Sequence, residues 1–313
     1  MTSSTEPSIN PSELIRPSVG SLLNGIIDYA GLFPPAKLDM PHAVEKYATH
    51  AASAESWMLS RLILPVSKMD EFDVAAKAFL PRDMEEDPWA ISALTAAAGD
   101  ANFEADIKRI ETFNNHHADP DHGLALVDVI ELKGDDARTI DKTLDLIPDE
   151  LFPFFELPIA DDPRGLIATL VGCEAGAKVR TGGVTAELCP SLENLARFIM
   201  ACASTGMPFK ATAGLHHPLR HFSEDVQTIE HGFLNVFIAA ALANIKHINE
   251  DEILAVLEET DPEVFTFEHE TITWGDHVLA LDEIDETRSY FAISFGACSF
   301  DEPREDLRQL GLL

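Results

Sequence analysis

The chain has 313 residues, of which 46% are apolar and 24% are charged, which is the composition of a globular protein with room for a large core. Asp and Glu number 54 against 22 Lys and Arg, giving a formal net charge of −32. Such a charge repels phosphate backbones and anionic lipids, so it argues against nucleic-acid and membrane-surface partners.

The cysteines and the apolar segments indicate a cellular compartment. The four cysteines are widely spaced without a CxxC pair, which is typical of reduced thiols. The longest nearly apolar run, Gly232 to Ile245, is 14 residues and too short to span a bilayer, and the first residues contain no apolar signal segment. We therefore expect a cytoplasmic protein with no membrane partner.

Residues 1–22 are polar and interrupted by proline, and we expect them to form a flexible N-terminal arm. After the arm, eight short apolar runs rich in β-branched or aromatic residues predict strands. The runs are GIIDYAG from Gly25, WMLSRLILP from Trp57, WAISALTAA from Trp89, LALVDVIEL from Leu124, LFPFFELPI from Leu151, AKVRTGG from Ala177, PFKATAGL from Pro208 and YFAISFGA from Tyr290.

Segments with helical periodicity lie between these runs. After Pro190, for example, Ser191 is a predicted N-cap, and the apolar residues that follow have helical spacing as far as Ala203. Eight strands alternating with helices at intervals of about thirty residues predict an α/β protein, a (β/α)8 TIM barrel. A doubly wound open sheet is the alternative, although no GxGxxG motif follows the first strand.

The spacing breaks between the last two strands, from residue 208 to residue 290. Here we expect an insertion subdomain between strands 7 and 8, at about residues 232–286. It contains the apolar helix of 232–245, a second helix near Asp251–Glu259 and a β-hairpin about Trp274 and Gly275. Since no linker composition flanks this segment, we expect residues 23–313 to form a single domain that includes it.

Cationic side chains alternate with apolar ones on the sixth and seventh predicted strands. Because residues two apart share a face, Lys178 and Arg180 point one way, as do Lys210 and Thr212. If the apolar neighbours of these four residues pack under the helices, the four polar side chains point into the barrel. Mutual repulsion and desolvation would then lower the pKa of one lysine and produce an amine that reacts with carbonyl compounds. Alternatively, these cations pair with acids such as Asp128 or Glu156, or bind an anion.

Four motifs, in order along the chain, resemble those of the deoxyribose-phosphate aldolases, which are class I aldolases with a TIM-barrel fold. Lys178-Val-Arg-Thr-Gly182 is similar to that family's K-T-S-T-G strand, whose lysine forms a Schiff base. Phe209-Lys210-Ala-Thr-Ala-Gly214 is similar to F-K-x-x-G-G, whose lysine lowers the pKa of the first. Ser294-Phe-Gly-Ala-Cys-Ser299 resembles the phosphate-binding turn R-F-G-x-S-S, and Val127-Asp128 resembles the I-D-x-V strand, whose aspartate relays protons.

The resemblance implies a class I aldolase-like lyase that acts on a small phosphorylated or carboxylated carbonyl compound without a cofactor. Its catalytic residues would be Lys178, Lys210 and Asp128. The residues predicted to bind the substrate are Arg180, Thr181, Gly182, Thr212, Gly214, His216, Gly296 and Ser299. Whether the chain forms a homo-oligomer is left open.

Two alternatives remain. The first is a non-catalytic barrel that binds an anionic metabolite, and a Lys178 locked in a pair with Glu156 or Asp128 would favour it. The second is a metal-dependent lyase or hydrolase that uses His216 or His217 together with Glu156. Asp28, near the end of the first strand, is predicted either to bind substrate or to pack in the barrel.

Overall fold

The computed structural model describes residues 15–313 and contains a closed barrel of eight parallel strands. In chain order the barrel strands are β1 (Ile27–Tyr29), β2 (Leu59–Pro65), β3 (Trp89–Leu94), β4 (Ala125–Lys133), β5 (Phe152–Glu156), β6 (Gly176–Arg180), β7 (Phe209–Thr212) and, after five strands outside the barrel, β13 (Ala292–Ala297). Neighbours around the barrel follow the order β1-β13-β7-β6-β5-β4-β3-β2. Six of the eight strands lie within a predicted run, and the other two extend one residue beyond theirs, β4 to Lys133 and β6 from Gly176. The (β/α)8 TIM barrel is therefore confirmed, and the open-sheet alternative is wrong.

Helices alternate with the barrel strands and cover them from outside. They are α1 (Pro17–Leu23), α2 (Met40–Ala51), α3 (Met69–Ala76), α4 (Phe103–His117), α5 (Ala137–Leu144), α6 (Arg164–Leu170), α7 (Leu192–Thr205), α8 (Phe233–Ala241), α9 (Glu250–Glu258), α10 (Leu281–Tyr290) and α11 (Asp301–Gln309). Helix α7 shows how the sequence sets such an element. The side chain of Ser191 accepts a hydrogen bond from the Asn194 amide, and Gly206 ends the helix at a φ of 65°.

The prediction of a flexible arm over residues 1–22 is wrong for its last six residues, 17–22. Residues 1–14 lie outside the described residues, whereas Pro17–Leu23 form α1. Val19, Leu22 and Leu23 of this helix are fully buried. The prediction failed there because proline is well tolerated in the first turn of a helix, and the apolar residues after it have the spacing of a helix face.

The segment between β7 and β13 contains two small antiparallel sheets outside the barrel. These are the hairpin of β8 (His221–Ser223) and β9 (Thr228–Glu230), and the sheet of β10 (Phe265–Phe267), β11 (Thr271–Trp274) and β12 (His277–Ala280). Strands β11 and β12 meet at the predicted turn after Trp274, with Trp274 opposite His277. The predicted hairpin is therefore confirmed, and β10 is an additional strand beside it.

One part of the predicted insertion belongs to the regular repeat. Every residue of α8 is buried, and its Phe233 stacks on Phe295 of β13 with ring centroids 5.3 Å apart. Helix α8 therefore covers the barrel wall, as the helix after a seventh strand does. The sequence of α8 is uniformly apolar because a helix that is covered on all sides has no face in contact with water.

Candidate active site

Lys178 of β6 and Lys210 of β7 lie side by side inside the barrel. The two residues are register partners on neighbouring parallel strands. Their chain neighbours Ala177, Val179 and Phe209 are fully buried on the outer side of the strands. Both lysines are themselves buried, with 5% and 2% of their surface exposed. The alternation of polar and apolar residues along β6 and β7 predicted that Lys178 and Lys210 point inward, and in the structure they do.

The carboxylate of Glu131, on β4, bridges the two amines. Its Oε2 lies 2.7 Å from Lys178 Nζ, and its Oε1 lies 2.6 Å from Lys210 Nζ. Ser92 Oγ on β3 donates a further hydrogen bond of 2.7 Å to Oε1. Glu131 and Ser92 are both buried. One carboxylate thus connects both lysines in a place with little access to water.

Each lysine also contacts a second carboxylate. Lys178 Nζ lies 3.0 Å from Glu156 Oε2, and Lys210 Nζ lies 2.8 Å from Asp28 Oδ2. Asp28 in turn accepts a hydrogen bond from Ser294 Oγ, and Glu156 Oε1 lies 3.3 Å from Arg180 Nε. Three formal negative charges and three formal positive charges therefore alternate through this group, which we call the lysine network. It consists of Asp28, Glu131, Glu156, Lys178, Arg180 and Lys210.

The expected lowering of the Lys178 pKa is wrong. Burial does lower this pKa, but the nearby carboxylates of Glu131 and Glu156 outweigh it, so the net shift is upward. The same contacts lower the pKa of Glu131 and of Glu156 despite their burial. The alternative, in which these cations pair with acids, is observed for Glu156, whereas Asp128 pairs with Arg61 and the acid shared by both lysines is Glu131. In this state Lys178 is an ion-paired ammonium group.

Asp128 does not occupy the predicted catalytic position. Its carboxylate binds Arg61 of β2, with Oδ1 3.1 Å from Nε and Oδ2 2.6 Å from Nη2. Both residues line a cavity of about 330 Å³ towards the amino ends of the strands, and Lys210 lies at its wall. The pairing of β3 with β4 shifts by one residue at this point, since Ile91 pairs with Val127 and Ser92 with Val129. The bulge leaves Asp128 with Arg61 and brings Glu131 to the lysines instead.

Among the predicted substrate-binding residues, three connect the loops that follow β6 and β7. The buried Thr181 donates its hydroxyl hydrogen to the carbonyl of Ala213, 2.5 Å away. A Cβ added to Gly182 would lie 2.6 Å from Gly214 Cα, so glycine is required at this close approach. The carboxyl ends of β6 and β7 are therefore held close together by Thr181, Gly182 and Gly214. This contact determines the positions of Arg180 and Thr212, the last residues of the two strands.

The predicted anion-binding turn, residues 296–299, is only partly a turn. Gly296 lies within β13 and pairs with Asp28 and Thr212, and a Cβ there would lie 3.2 Å from Thr212 Oγ1. Ser299 Oγ accepts a hydrogen bond of 3.2 Å from the Glu302 amide and so helps to start α11. Gly296 thus makes space in the barrel interior beside Thr212, while the hydroxyl of Ser299 is used within the chain.

The two adjacent histidines do not face a common centre. His216 Nδ1 lies 2.9 Å from Glu302 Oε2, and His217 Nδ1 lies 2.5 Å from Asp306 Oδ2, one turn further along α11. Glu156, the third ligand of the metal hypothesis, is engaged by Lys178 and Arg180. Within residues 15–313, no group of three or more His, Cys, Asp or Glu side chains is arranged to hold a metal ion.

Comparison with known proteins adds no family to this description. No protein-family model matches the chain, and no curated protein matches it. None of the helices between residues 15 and 313 is long and apolar enough to cross a membrane.

Proposed function

We propose that this protein is a lyase of the class I aldolase type, which acts on a small carbonyl compound through an imine at Lys178. The observation that carries the proposal is the position of Glu131, which contacts both interior lysines at 2.7 and 2.6 Å. A carboxylate shared by two amines can take a proton from one while the other stays charged beside it. The resemblance of the strands around Lys178 and Lys210 to those of deoxyribose-phosphate aldolases supports the same assignment.

The reaction begins with proton transfer from Lys178, because only the neutral amine is a nucleophile. Glu131 or Glu156 accepts that proton. The amine nitrogen then adds to the carbonyl carbon, and loss of water gives the protonated imine. A carboxylate of the lysine network takes the proton from the hydroxyl group on the β-carbon, and the bond between the α- and β-carbons breaks with its electrons moving into the protonated imine. An enamine and a second carbonyl compound remain. Protonation and hydrolysis of the enamine release the first product and restore the amine.

In this proposal the other residues bind the substrate or adjust charge. Lys210 keeps a positive charge beside the imine and holds Glu131 in position. Arg180 has about 40% of its side chain exposed and is the cation of the lysine network that a substrate carboxylate or phosphate reaches first. Thr212, which is partly exposed beside Gly296, contacts the bound molecule from the neighbouring strand. Glu131 has the proton-relay role that the family resemblance implied for Asp128.

A second candidate is a barrel that binds an anionic metabolite without reacting with it. The observation in its favour is the pairing of Lys178 with Glu156 at 3.0 Å, which leaves no free amine in this state. In this alternative an anion would compete with Glu156 for Arg180 and Lys178, and no covalent bond would form.

Borohydride trapping separates the two candidates, because only an imine is reduced to a stable secondary amine. The protein is incubated with acetaldehyde, pyruvate or glyceraldehyde 3-phosphate and reduced, and the modified lysine is located by peptide mass spectrometry. We expect an adduct at Lys178, its loss in Lys178→Met and a weaker adduct in Lys210→Met. Lys246→Met, which changes a lysine paired with Glu283, is the matched control and should react as the wild type does.

The absence of any adduct at Lys178, with all three probes and a folded protein, would overturn the lyase proposal. A rise in melting temperature with phosphate or pyruvate under the same conditions would then support the anion binder. If neither adduct nor thermal shift appears, both candidates fail.

A further inference from the structure

A cysteine, a histidine and a glutamate meet at the carboxyl ends of β7 and β13, apart from the lysine network. Cys298 directly follows β13, His216 lies in the loop after β7, and Glu302 is in the first turn of α11. His216 Nε2 lies 3.9 Å from Cys298 Sγ, and its Nδ1 lies 2.9 Å from Glu302 Oε2. The imidazole therefore connects a thiol on one side to a carboxylate on the other.

The surroundings of His216 favour its charged form. Burial lowers the pKa of the imidazole, but its contacts with Cys298 and Glu302 outweigh this and raise the pKa to about 10. The carboxylate of Glu302 also fixes the ring, because it holds Nδ1 and so directs Nε2 to the sulfur. An imidazolium group held in this position stabilises negative charge on a sulfur beside it.

The other three cysteines, all within the described residues, have different surroundings. Cys202 is fully buried in α7, and burial raises its pKa well above the ordinary value. Cys189 is half-buried, and burial together with the charge of Glu230 raises its pKa. Cys173 is exposed, and its sulfur contacts the Thr169 carbonyl. Only Cys298 has a histidine at its sulfur.

We propose that Cys298, His216 and Glu302 form a nucleophilic thiol site that reacts with small electrophilic carbon compounds. In this reaction the thiol proton passes to His216, and Glu302 balances the positive charge of the imidazolium. The thiolate attacks the electrophilic carbon, a carbon–sulfur bond forms, and the leaving group departs with the electrons of its bond to that carbon. This chemistry needs no imine, so it is independent of the lyase proposal.

Cys298 is only 8% exposed, and 15% of the His216 side chain is exposed, so the site admits small reagents only. This property gives a clear test. Accessibility alone predicts that the exposed Cys173 reacts first, whereas activation by His216 predicts that Cys298 does. The two explanations therefore give opposite orders of reaction within one molecule.

The experiment measures alkylation of the 313-residue chain by iodoacetamide at pH 7. The rate at each cysteine is followed by peptide mass spectrometry. We expect Cys298 to react about tenfold faster than Cys173, because the imidazole of His216 lies beside its sulfur. His216→Gln should remove this advantage, and Glu302→Gln should reduce it. His217→Gln is the matched control, since the adjacent histidine pairs with Asp306, and it should leave the rate at Cys298 unchanged.

A faster reaction at Cys173 than at Cys298 in the wild-type protein would overturn the proposal. So would a rate at Cys298 that is the same in His216→Gln and in the wild type. If His216→Gln impairs folding, Glu302→Gln provides the same comparison from the exposed side of the site, and an unchanged rate there would count against the proposed role of the carboxylate. Circular dichroism of each variant establishes that the fold is retained.

Discussion

The substitution Glu131→Gln tests the lysine network most directly, because it removes one negative charge and keeps the shape of the side chain. At the 2.7 Å between Lys178 Nζ and Glu131 Oε2, the attraction is about 6 kcal/mol for an effective dielectric constant of about 20. Loss of the charge therefore lowers the pKa of Lys178, even though Glu156 remains 3.0 Å away. A fall of only about one unit makes the neutral amine about tenfold more abundant at neutral pH.

Three measurements on Glu131→Gln follow from this. The rate of imine trapping at Lys178 near pH 7 should rise by about tenfold or more, because the nucleophile is no longer held as an ammonium group. Carbon–carbon bond cleavage should become slower, because the amide cannot relay protons. The free energy of unfolding should fall by about 3–5 kcal/mol, since two buried ammonium groups lose a shared partner.

Glu156→Gln is the matched control, because Glu156 contacts Lys178 and Arg180 but not Lys210. We expect it to raise trapping at Lys178 and to destabilise the protein less, since Glu156 is partly exposed. If Glu131→Gln folds and its trapping rate at pH 7 is unchanged or lower, the argument that ion pairing limits the amine is refuted.

Three further predictions concern stability and can be checked by urea unfolding. Arg288→Met should lower the free energy of unfolding by about 3–5 kcal/mol. The buried guanidinium donates hydrogen bonds to the carbonyls of Leu22 and Asn24, before β1, and to that of Ile293 in β13. A loss below about 1 kcal/mol would contradict this. Asn235→Leu should lower the free energy of unfolding by about 2–4 kcal/mol. The side-chain amide of Asn235 donates to the carbonyls of Val256 and Glu259, and its oxygen accepts from the Arg220 amide. An equal loss in Asn102→Leu, which changes an exposed asparagine, would show that these contacts are not responsible. Burial lowers the pKa of His50 to about 4, below the 6.5 of the unfolded chain, so its contribution to stability is lost as the pH falls from 6.5 towards 4. His50→Phe should therefore show a shallower decline of stability between pH 7.5 and pH 5, and an unchanged decline would exclude His50 as a cause.

The barrel could be predicted from the sequence because its signals are local and repeated. Each strand is a short apolar run bounded by turn residues, and eight such runs leave few arrangements for a parallel sheet. The assignment of α8 to an insertion failed for a different reason. A uniformly apolar helix has no amphipathic face, so its sequence shows that it is buried but not which surface it covers. Phe295 on β13 is that surface, and only the structure identifies it.

The lysines of the site and one acid partner, Glu156, could be predicted, but the shared partner Glu131 could not. Lys178 and Lys210 follow from alternation on two neighbouring strands, which a sequence displays directly. Glu131 depends on a β-bulge in β4, which changes the face on which later residues lie and has no clear signature in VDVIEL. Asp28 was singled out on β1, but its contact with Lys210 depends on the closure of the barrel between β1 and β13.

In the proposed mechanism, the balance of charge in the lysine network connects substrate binding to the release of the amine. The chain as a whole carries a formal charge of −32, yet the network has as many cations as acids. An anionic substrate that binds Arg180 withdraws that cation from Glu156, whose pKa is held down by Lys178 and Arg180. Glu156 then accepts the proton of Lys178 more readily, so binding of the anion itself favours the neutral amine. In the trapping experiment this coupling gives pyruvate an advantage over acetaldehyde beyond its greater affinity, and the advantage depends on Arg180.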